Sequence, residues 1–169
     1  MSAIFDYLKE NVKGELIPNY RSNNKGFDIL WKLGSNKKVW LMIQPLRSQR
    51  INDIHPRKIE KIFTTIKHYN IAKNDTCIIC YVFGGEFPDF SSHGGSRVFN
   101  SNQQSFSQKL VKLKDYLNSF PNMPERWVGK LYTTSSFMTF IDSLSVYTEE
   151  ETIEKLRKNE KQTKEFKVI

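Results

Sequence analysis

Apolar and polar residues alternate in two short runs near the start of the chain, and a Gly-Ser-Asn turn separates the two runs. This pattern predicts a β-hairpin with strands over residues 27–33 and 39–46. Both strands carry apolar residues on both sides, which is typical of a sheet that is covered on two faces. If the turn centres near Asn36, Asp28 on the first strand lies opposite Gln44 on the second.

Helical spacing of apolar residues predicts helices on either side of this hairpin. Ser2 can cap a first helix, and Pro56 occupies an early position in the second. The second helix carries the clearest apolar stripe in the chain, formed by Ile59, Ile62, Phe63, Ile66 and Tyr69. The pattern then predicts a fully buried strand over residues 76–83, followed by a helix from Ser101, a strand over 127–134 and a helix over 137–144.

With a short strand expected over residues 15–20, between the first helix and the hairpin, the order of these elements is helix, three strands, helix and strand, with further elements behind. It predicts an α/β fold with a mixed central sheet flanked by helices, and extra helix and strand elements at the C-terminal side. We expect a single α/β domain over residues 1–148, and a charged C-terminal helix or tail over residues 149–169. The Gly- and Ser-rich loop at residues 84–102 is longer than a simple connector, and we interpret it as a substrate-contacting or mobile segment.

The net charge of the chain indicates a class of binding partner. The 169 residues include 26 Lys and Arg against 18 Asp and Glu, which gives a net charge of +8. Residues 149–169 hold as many acids as bases, so the whole excess lies in residues 1–148. A basic protein often meets polyanions, because each phosphate that it neutralises releases counterions. The alternative is that the charge only keeps the protein in solution.

Two classes of protein are disfavoured by the apolar pattern. No apolar run approaches the roughly 18 residues that a transmembrane helix needs. The first fifteen residues lack the charged, apolar and small-residue series of a secretory signal. We therefore expect a cytoplasmic or otherwise intracellular protein that has no membrane partner.

Cys77 and Cys80 are the two cysteines of the chain, and both lie in the strand predicted to be buried. A CxxC pair suggests a zinc half-site or a redox motif. On a strand, however, residues three apart point to opposite faces, and no second CxxC or HxxxH completes a set of four zinc ligands. We interpret both residues as buried structural thiols.

The element order, with an acid on one strand facing a polar residue on the next, resembles the PD-(D/E)XK nuclease superfamily over about residues 1–83. The matching residues are Asp28 in the run GFDIL and Gln44 in the run WLMIQPL. The resemblance implies a restriction-endonuclease-like αβββαβ core in which Asp28 and Gln44 hold Mg²⁺. Glu10 or Glu15 would supply a further ligand, since Mg²⁺ prefers hard oxygen atoms. The metal would generate and orient the attacking hydroxide.

The chain departs from the family pattern at Leu46, where the family has a catalytic Lys. Arg47 comes next, but on a regular strand it faces the opposite side, and Arg stays protonated. In some members of the superfamily, the catalytic Lys lies on the following helix instead of on the strand. Lys58 or Lys61 would take that role here, and Lys58 joins Asp28 and Gln44 in the set of expected catalytic residues.

A dense run of basic residues follows the hairpin and enters the second helix. Guanidinium and ammonium groups suit phosphate oxygens, and four residues of this run are expected to contact nucleic acid: Arg47, Arg50, Arg57 and Lys61. The alternative is an ordinary solvated helix face. Two hypotheses of function follow, a Mg²⁺-dependent nuclease acting on DNA or RNA, and an inactive nuclease-fold module that binds nucleic acid or acts as a subunit of a homodimer or protein complex. A third, from another class, is a plain protein-interaction domain whose Trp and Phe residues form the contact surface.

Overall fold

The computed structural model describes residues 3–18, 27–46, 56–84, 103–158 and 164–169, without the side chains of residues 3, 56–58 and 103–107. Its five helices are α1 (Ala3–Asn11), α2 (Pro56–His68), α3 (Gln103–Asn118), α4 (Thr134–Leu144) and α5 (Glu149–Lys158). Its six strands are β1 (Glu15–Pro18), β2 (Ile29–Leu33), β3 (Val39–Leu46), β4 (Thr76–Phe83), β5 (Arg126–Thr133) and β6 (Phe166–Val168). Within these ranges, no helix is both long enough and apolar enough to span a lipid bilayer.

All six strands belong to one mixed sheet, in which they follow the order of the sequence. β1, β2 and β3 form an antiparallel meander, whereas β3, β4, β5 and β6 run parallel to one another. The parallel strands are joined through helices, as crossover connections of this kind require. The predicted α/β fold with a mixed sheet between helices is confirmed.

Helices cover both faces of the sheet, and strand alternation divides the core in two. α2 and α3, together called the α2–α3 layer, pack on the face that carries Trp40 and Met42 of β3. α1, α4 and α5, together called the α1–α4–α5 layer, pack on the face that carries Leu41 and Ile43. All eight residues of β4 are buried between the two layers, as the sequence predicts.

The helix ends follow local capping chemistry. α2 ends at His68, after which Asn70 adopts a left-handed φ of 52° and Ile71 donates its N–H to the carbonyl of Ile66 at 3.0 Å. α4 begins with a reciprocal capping box, in which the Thr133 hydroxyl accepts the N–H of Ser136 and the Ser136 hydroxyl accepts the N–H of Thr133. Both devices satisfy backbone groups that a helix leaves unpaired.

The C-terminal segment, expected to be a charged helix or tail, joins the body of the domain. Leu156 of α5 is buried in the core of the α1–α4–α5 layer. The Glu149 carboxylate accepts the N–H of Gly34 at 3.0 Å, and the Arg157 guanidinium donates to the carbonyl of Lys37 at 2.5 Å. α5 therefore holds the turn of the β2–β3 hairpin, which the fading apolar pattern does not reveal.

Strand β6 is absent from the sequence-based prediction. It pairs with β5 through Gly129 and Phe166. A Cβ at position 129 would lie 2.2 Å from the ring of Phe166, so the ring needs the space that Gly129 leaves. The same ring lies 5.4 Å from that of Trp127, and these contacts fix the C-terminal strand against the sheet.

Candidate functional site

The pairing of β2 with β3 places Asp28 directly opposite Gln44. Ile29 pairs with Ile43 in the last pair of the ladder, and Asp28 and Gln44 are the next residues beyond that pair on their two segments. This geometry is the one that a turn centred near Asn36 predicts. Strand alternation directs Gln44 to the face covered by the α2–α3 layer, where it is buried, while Asp28 is half-buried.

Asp28 and Gln44 bind each other through two hydrogen bonds. The Gln44 Nε2 group donates to Oδ2 of Asp28 at 2.9 Å, and the Gln44 Oε1 atom accepts the backbone N–H of Asp28 at 3.3 Å. Nε2 also donates to the carbonyl of Pro45 at 3.3 Å. The buried amide therefore has its donor and its acceptor satisfied by the protein, as a buried polar group requires.

A second contact fixes the entrance of β2 against α2. The backbone N–H of Phe27 donates to the Thr65 hydroxyl at 3.1 Å, and that hydroxyl donates to the carbonyl of Lys61 at 2.8 Å. The Phe27 ring meets Tyr81 of β4 edge-on, with 5.5 Å between ring centroids. Sequence reasoning missed Thr65, although a buried Thr beside the apolar stripe of a helix is a recognisable signal.

The folded Asp28–Gln44 pair does not fit the family's magnesium site. The pair has a single carboxylate, one oxygen of which accepts the Gln44 Nε2 group, and the amide oxygen of Gln44 accepts the N–H of Asp28. Leu46 is buried in the core where the family has Lys. In the described ranges, no three His, Cys, Asp or Glu side chains are grouped closely enough to hold a metal ion.

The other proposed ligands lie away from this pair. Glu10 is exposed on α1, and α1 packs on the opposite face of the sheet from Gln44. Glu15 on β1 forms an ion pair with Lys32 of β2 at 3.6 Å. The structure therefore brings Asp28 and Gln44 together, but it does not add Glu10 or Glu15 to them.

The predicted basic patch is only partly described. Arg47 and Arg50 lie outside the described residues. Arg57 and Lys58 belong to the first turn of α2, but their side chains are not described, so the catalytic role of Lys58 stays a prediction. Lys61 is half-buried on α2, on the same side of the sheet as Gln44.

The charges of the helices divide between the two faces of the sheet. α2 carries four Lys and Arg and one Glu, and α3 carries three Lys and one Asp, so the α2–α3 layer has a net charge of +5. On the other face, α1, α4 and α5 each carry one more acid than base, so the α1–α4–α5 layer has a net charge of −3. Among the helices, the positive charge is thus concentrated in the α2–α3 layer, and the α1–α4–α5 layer is acidic.

The two cysteines are free, fully buried and on opposite faces of β4, as predicted for structural thiols. Burial raises the pKa of Cys80 to about 12 and that of Cys77 further. Beside Cys80, the side chain of Lys130 on β5 is also buried, and its Nζ lies 5.0 Å from the ring centroid of Phe140. Burial lowers the pKa of Lys130. Sequence reasoning missed this residue, whose signal is a single Lys inside the apolar run WVGKLYT.

Comparisons of the chain with protein-family models, with characterised proteins and with solved structures return no match.

Proposed function

We propose that the protein binds nucleic acid through its α2–α3 layer and that the Asp28–Gln44 pair is a structural element of a nuclease-like scaffold. The observation that carries this proposal is the segregation of charge, with +5 on the α2–α3 layer and −3 on the α1–α4–α5 layer. A charge that served solubility alone has no reason to collect on one face. A one-sided positive field attracts a polyanion and orients it.

The α2–α3 layer is also built as a fixed surface. Phe63 of α2 stacks on Phe120, which follows α3, with 3.3 Å between ring centroids and an angle of 19° between the rings. The Tyr116 hydroxyl of α3 donates to the Glu60 carboxylate of α2 at 3.1 Å. These contacts hold the two helices together, so their lysines keep a constant spacing. A constant spacing supports the binding of a regular row of phosphates.

The basic run predicted from the sequence belongs to the same surface. Arg57, Lys58 and Lys61 all lie in α2, and Lys112 of α3 is exposed. The proposed contact surface for nucleic acid is therefore larger than the basic run alone, because α3 adds three lysines to that surface.

The Asp28–Gln44 pair supports binding without hydrolysis. Its amide is used in hydrogen bonds to Asp28, and the family's lysine position is occupied by buried Leu46. A hydrolytic site needs a group that activates water. The described side chains at the pair's own motif positions provide one carboxylate, and neither Gln44 nor Leu46 is an acid or a base.

The test is a matched pair of charge-reversal variants. Lys61→Glu with Lys112→Glu changes the α2–α3 layer, and Lys9→Glu with Lys158→Glu changes the net charge equally on the other face. Binding to labelled single-stranded RNA and double-stranded DNA is measured by fluorescence anisotropy between about 50 and 200 mM salt. We expect the first variant to weaken binding and to reduce the slope of log K against log salt by about two. The second should keep the wild-type slope.

Equal weakening by both variants would show that net charge, rather than the α2–α3 layer, drives binding. Absence of salt-sensitive binding by the wild-type protein would contradict the proposal directly. The same samples, incubated with Mg²⁺ or Mn²⁺, test hydrolysis: cleavage by the wild-type protein that is lost in Asp28→Ala would favour the nuclease hypothesis instead.

A further inference from the structure

A cavity opens on the edge of the α2–α3 layer, at the opposite end of the sheet from Gln44. Its volume is about 310 Å³, and it lies between the end of α2, the turn that leads to β4 and the segment that joins α3 to β5. β3, β4 and β5 run parallel; Gln44 stands near the end of β3, whereas the cavity adjoins the segments that enter β4 and β5. The cavity is thus separate from the Asp28–Gln44 pair.

The lining of the cavity changes from apolar to polar between its floor and its rim. The floor is formed by buried or half-buried apolar side chains: Phe63, Ile66, Ile71 and Phe120. The rim carries exposed polar side chains: Lys67, Asn70, Lys73 and Asn122. As far as the described residues form it, the lining includes two ammonium groups and two amides and contains no carboxylate.

We propose that this cavity binds a nucleotide. Apolar and aromatic floors accept the flat face of a base, and side-chain amides can pair with the donors and acceptors on a base edge. The two lysines, Lys67 and Lys73, supply positive charge for the phosphate. A volume of about 310 Å³ stands at the lower end of small-molecule sites, which matches one nucleotide rather than two.

The cavity is formed before any ligand enters. The stacking of Phe63 on Phe120 joins the parts of its floor that come from α2 and from the segment after α3. The turn after α2 uses the terminal carbonyls of that helix, because Asn70 donates to Lys67 at 3.4 Å and Ile71 donates to Ile66 at 3.0 Å. These carbonyls are already occupied, so a phosphate at the rim meets less negative charge than a bare helix end would present.

The test is a titration of the full chain with AMP, followed by backbone amide chemical shifts. Adenosine and inorganic phosphate serve as the two halves of the ligand. We expect saturable AMP binding with shifts at the cavity, weaker binding of adenosine, and no comparable binding of phosphate alone. Lys67→Gln with Lys73→Gln should weaken AMP binding by about tenfold or more and leave adenosine binding nearly unchanged. The control, Lys9→Gln with Lys158→Gln, should bind AMP as the wild-type protein does.

Asn70→Asp provides a second variant that preserves size and tolerates the left-handed backbone conformation. Its added negative charge should weaken AMP binding without loss of fold. AMP shifts that map elsewhere, phosphate binding as tight as AMP binding, or equal affinity in the lysine variant would each overturn the proposal. If a short oligoadenylate competes with AMP, the cavity accepts a nucleotide that is part of a nucleic-acid strand. If it does not compete, the ligand of the cavity is a free mononucleotide. The Lys61→Glu with Lys112→Glu variant should bind AMP normally, so failure of polyanion binding and failure of this site are separable.

Discussion

The contact between Asp28 and Gln44 predicts a measurable coupling energy between the two side chains. Its strongest component is the hydrogen bond from Gln44 Nε2 to the Asp28 carboxylate at 2.9 Å. Hydrogen bonds to a charged group contribute about 1.5–3 kcal/mol. Because Asp28 is half-buried and water screens its charge in part, we expect the lower end of that range. The second bond, from the Asp28 N–H at 3.3 Å, survives Asp28→Ala and does not enter the coupling.

A double-mutant cycle measures this coupling. Asp28→Ala, Gln44→Leu and the double variant are unfolded in urea at neutral pH, and the free energies of unfolding are combined. We expect a coupling of about 1.5–2 kcal/mol, from the charge-assisted bond alone. Gln44→Leu should cost more than Asp28→Ala, because it also removes the acceptor of the Asp28 N–H.

The neighbouring ion pair between Glu15 and Lys32 is the matched control. It joins β1 to β2 at 3.6 Å, but the Glu15 side chain is 63% exposed. An exposed ion pair contributes about 0–1 kcal/mol. A coupling at Asp28–Gln44 below about 0.5 kcal/mol would refute the structural role, since independent sites deviate from additivity by that much. A rise in wild-type stability on adding Mg²⁺ that Asp28→Ala abolishes would also refute it, because the pair would then open to bind metal.

Three further predictions concern buried groups. Asp75→Ala should destabilise the fold by about 3–5 kcal/mol, because the buried carboxylate accepts three N–H groups at 3.1–3.2 Å; a loss below about 1 kcal/mol in urea unfolding would contradict this. Thr65→Val should cost about 1–3 kcal/mol, since it removes the hydroxyl that accepts the N–H of Phe27; unchanged amide exchange at Phe27 would count against it. Cys77 and Cys80 should react with a disulfide reagent only as fast as the protein unfolds, because burial raises the pKa of both thiols, to about 12 for Cys80. The unfolded thiols ionise near pH 8.5, so above that pH the unfolded state binds fewer protons than the folded state. The free energy of unfolding should therefore fall as the pH rises. If the difference in this free energy between the wild-type protein and Cys80→Ala stayed constant up to pH 10, that linkage would be excluded.

Local patterns predicted most of the secondary structure, because the elements are strongly periodic. The register of β2 and β3 followed from a short turn, and burial of β4 followed from an uninterrupted apolar run. Phe27 shows the limit of alternation. Strict alternation over a strand that begins at residue 27 would place Phe27 on the face of Ile29 and Trp31, but Phe27 precedes β2 and packs in the core of the α2–α3 layer instead.

The missing elements depend on contacts between distant residues. β6 has only three residues, and its place is set by the space above Gly129, which is distant in sequence. The charge on each face could not be derived before the helices were assigned to layers. The hydrogen bond that occupies the Gln44 oxygen was equally invisible, since the same Asp and Gln facing each other are compatible with a metal site or with a closed pair.

Gly129 has a consequence for how the protein behaves among its own copies. β5 is eight residues long, and β6 covers part of its outer edge by pairing with Gly129, Lys130 and Leu131, while the ring of Phe166 rests on Gly129. A single methyl group at position 129 would displace that ring and leave a row of unpaired N–H and C=O groups along β5. Such an edge recruits strands from other molecules. Gly129, with the smallest side chain in the sheet, therefore protects the protein against edge-to-edge aggregation. We expect Gly129→Ala to expose the edge of β5 and to promote aggregation through it.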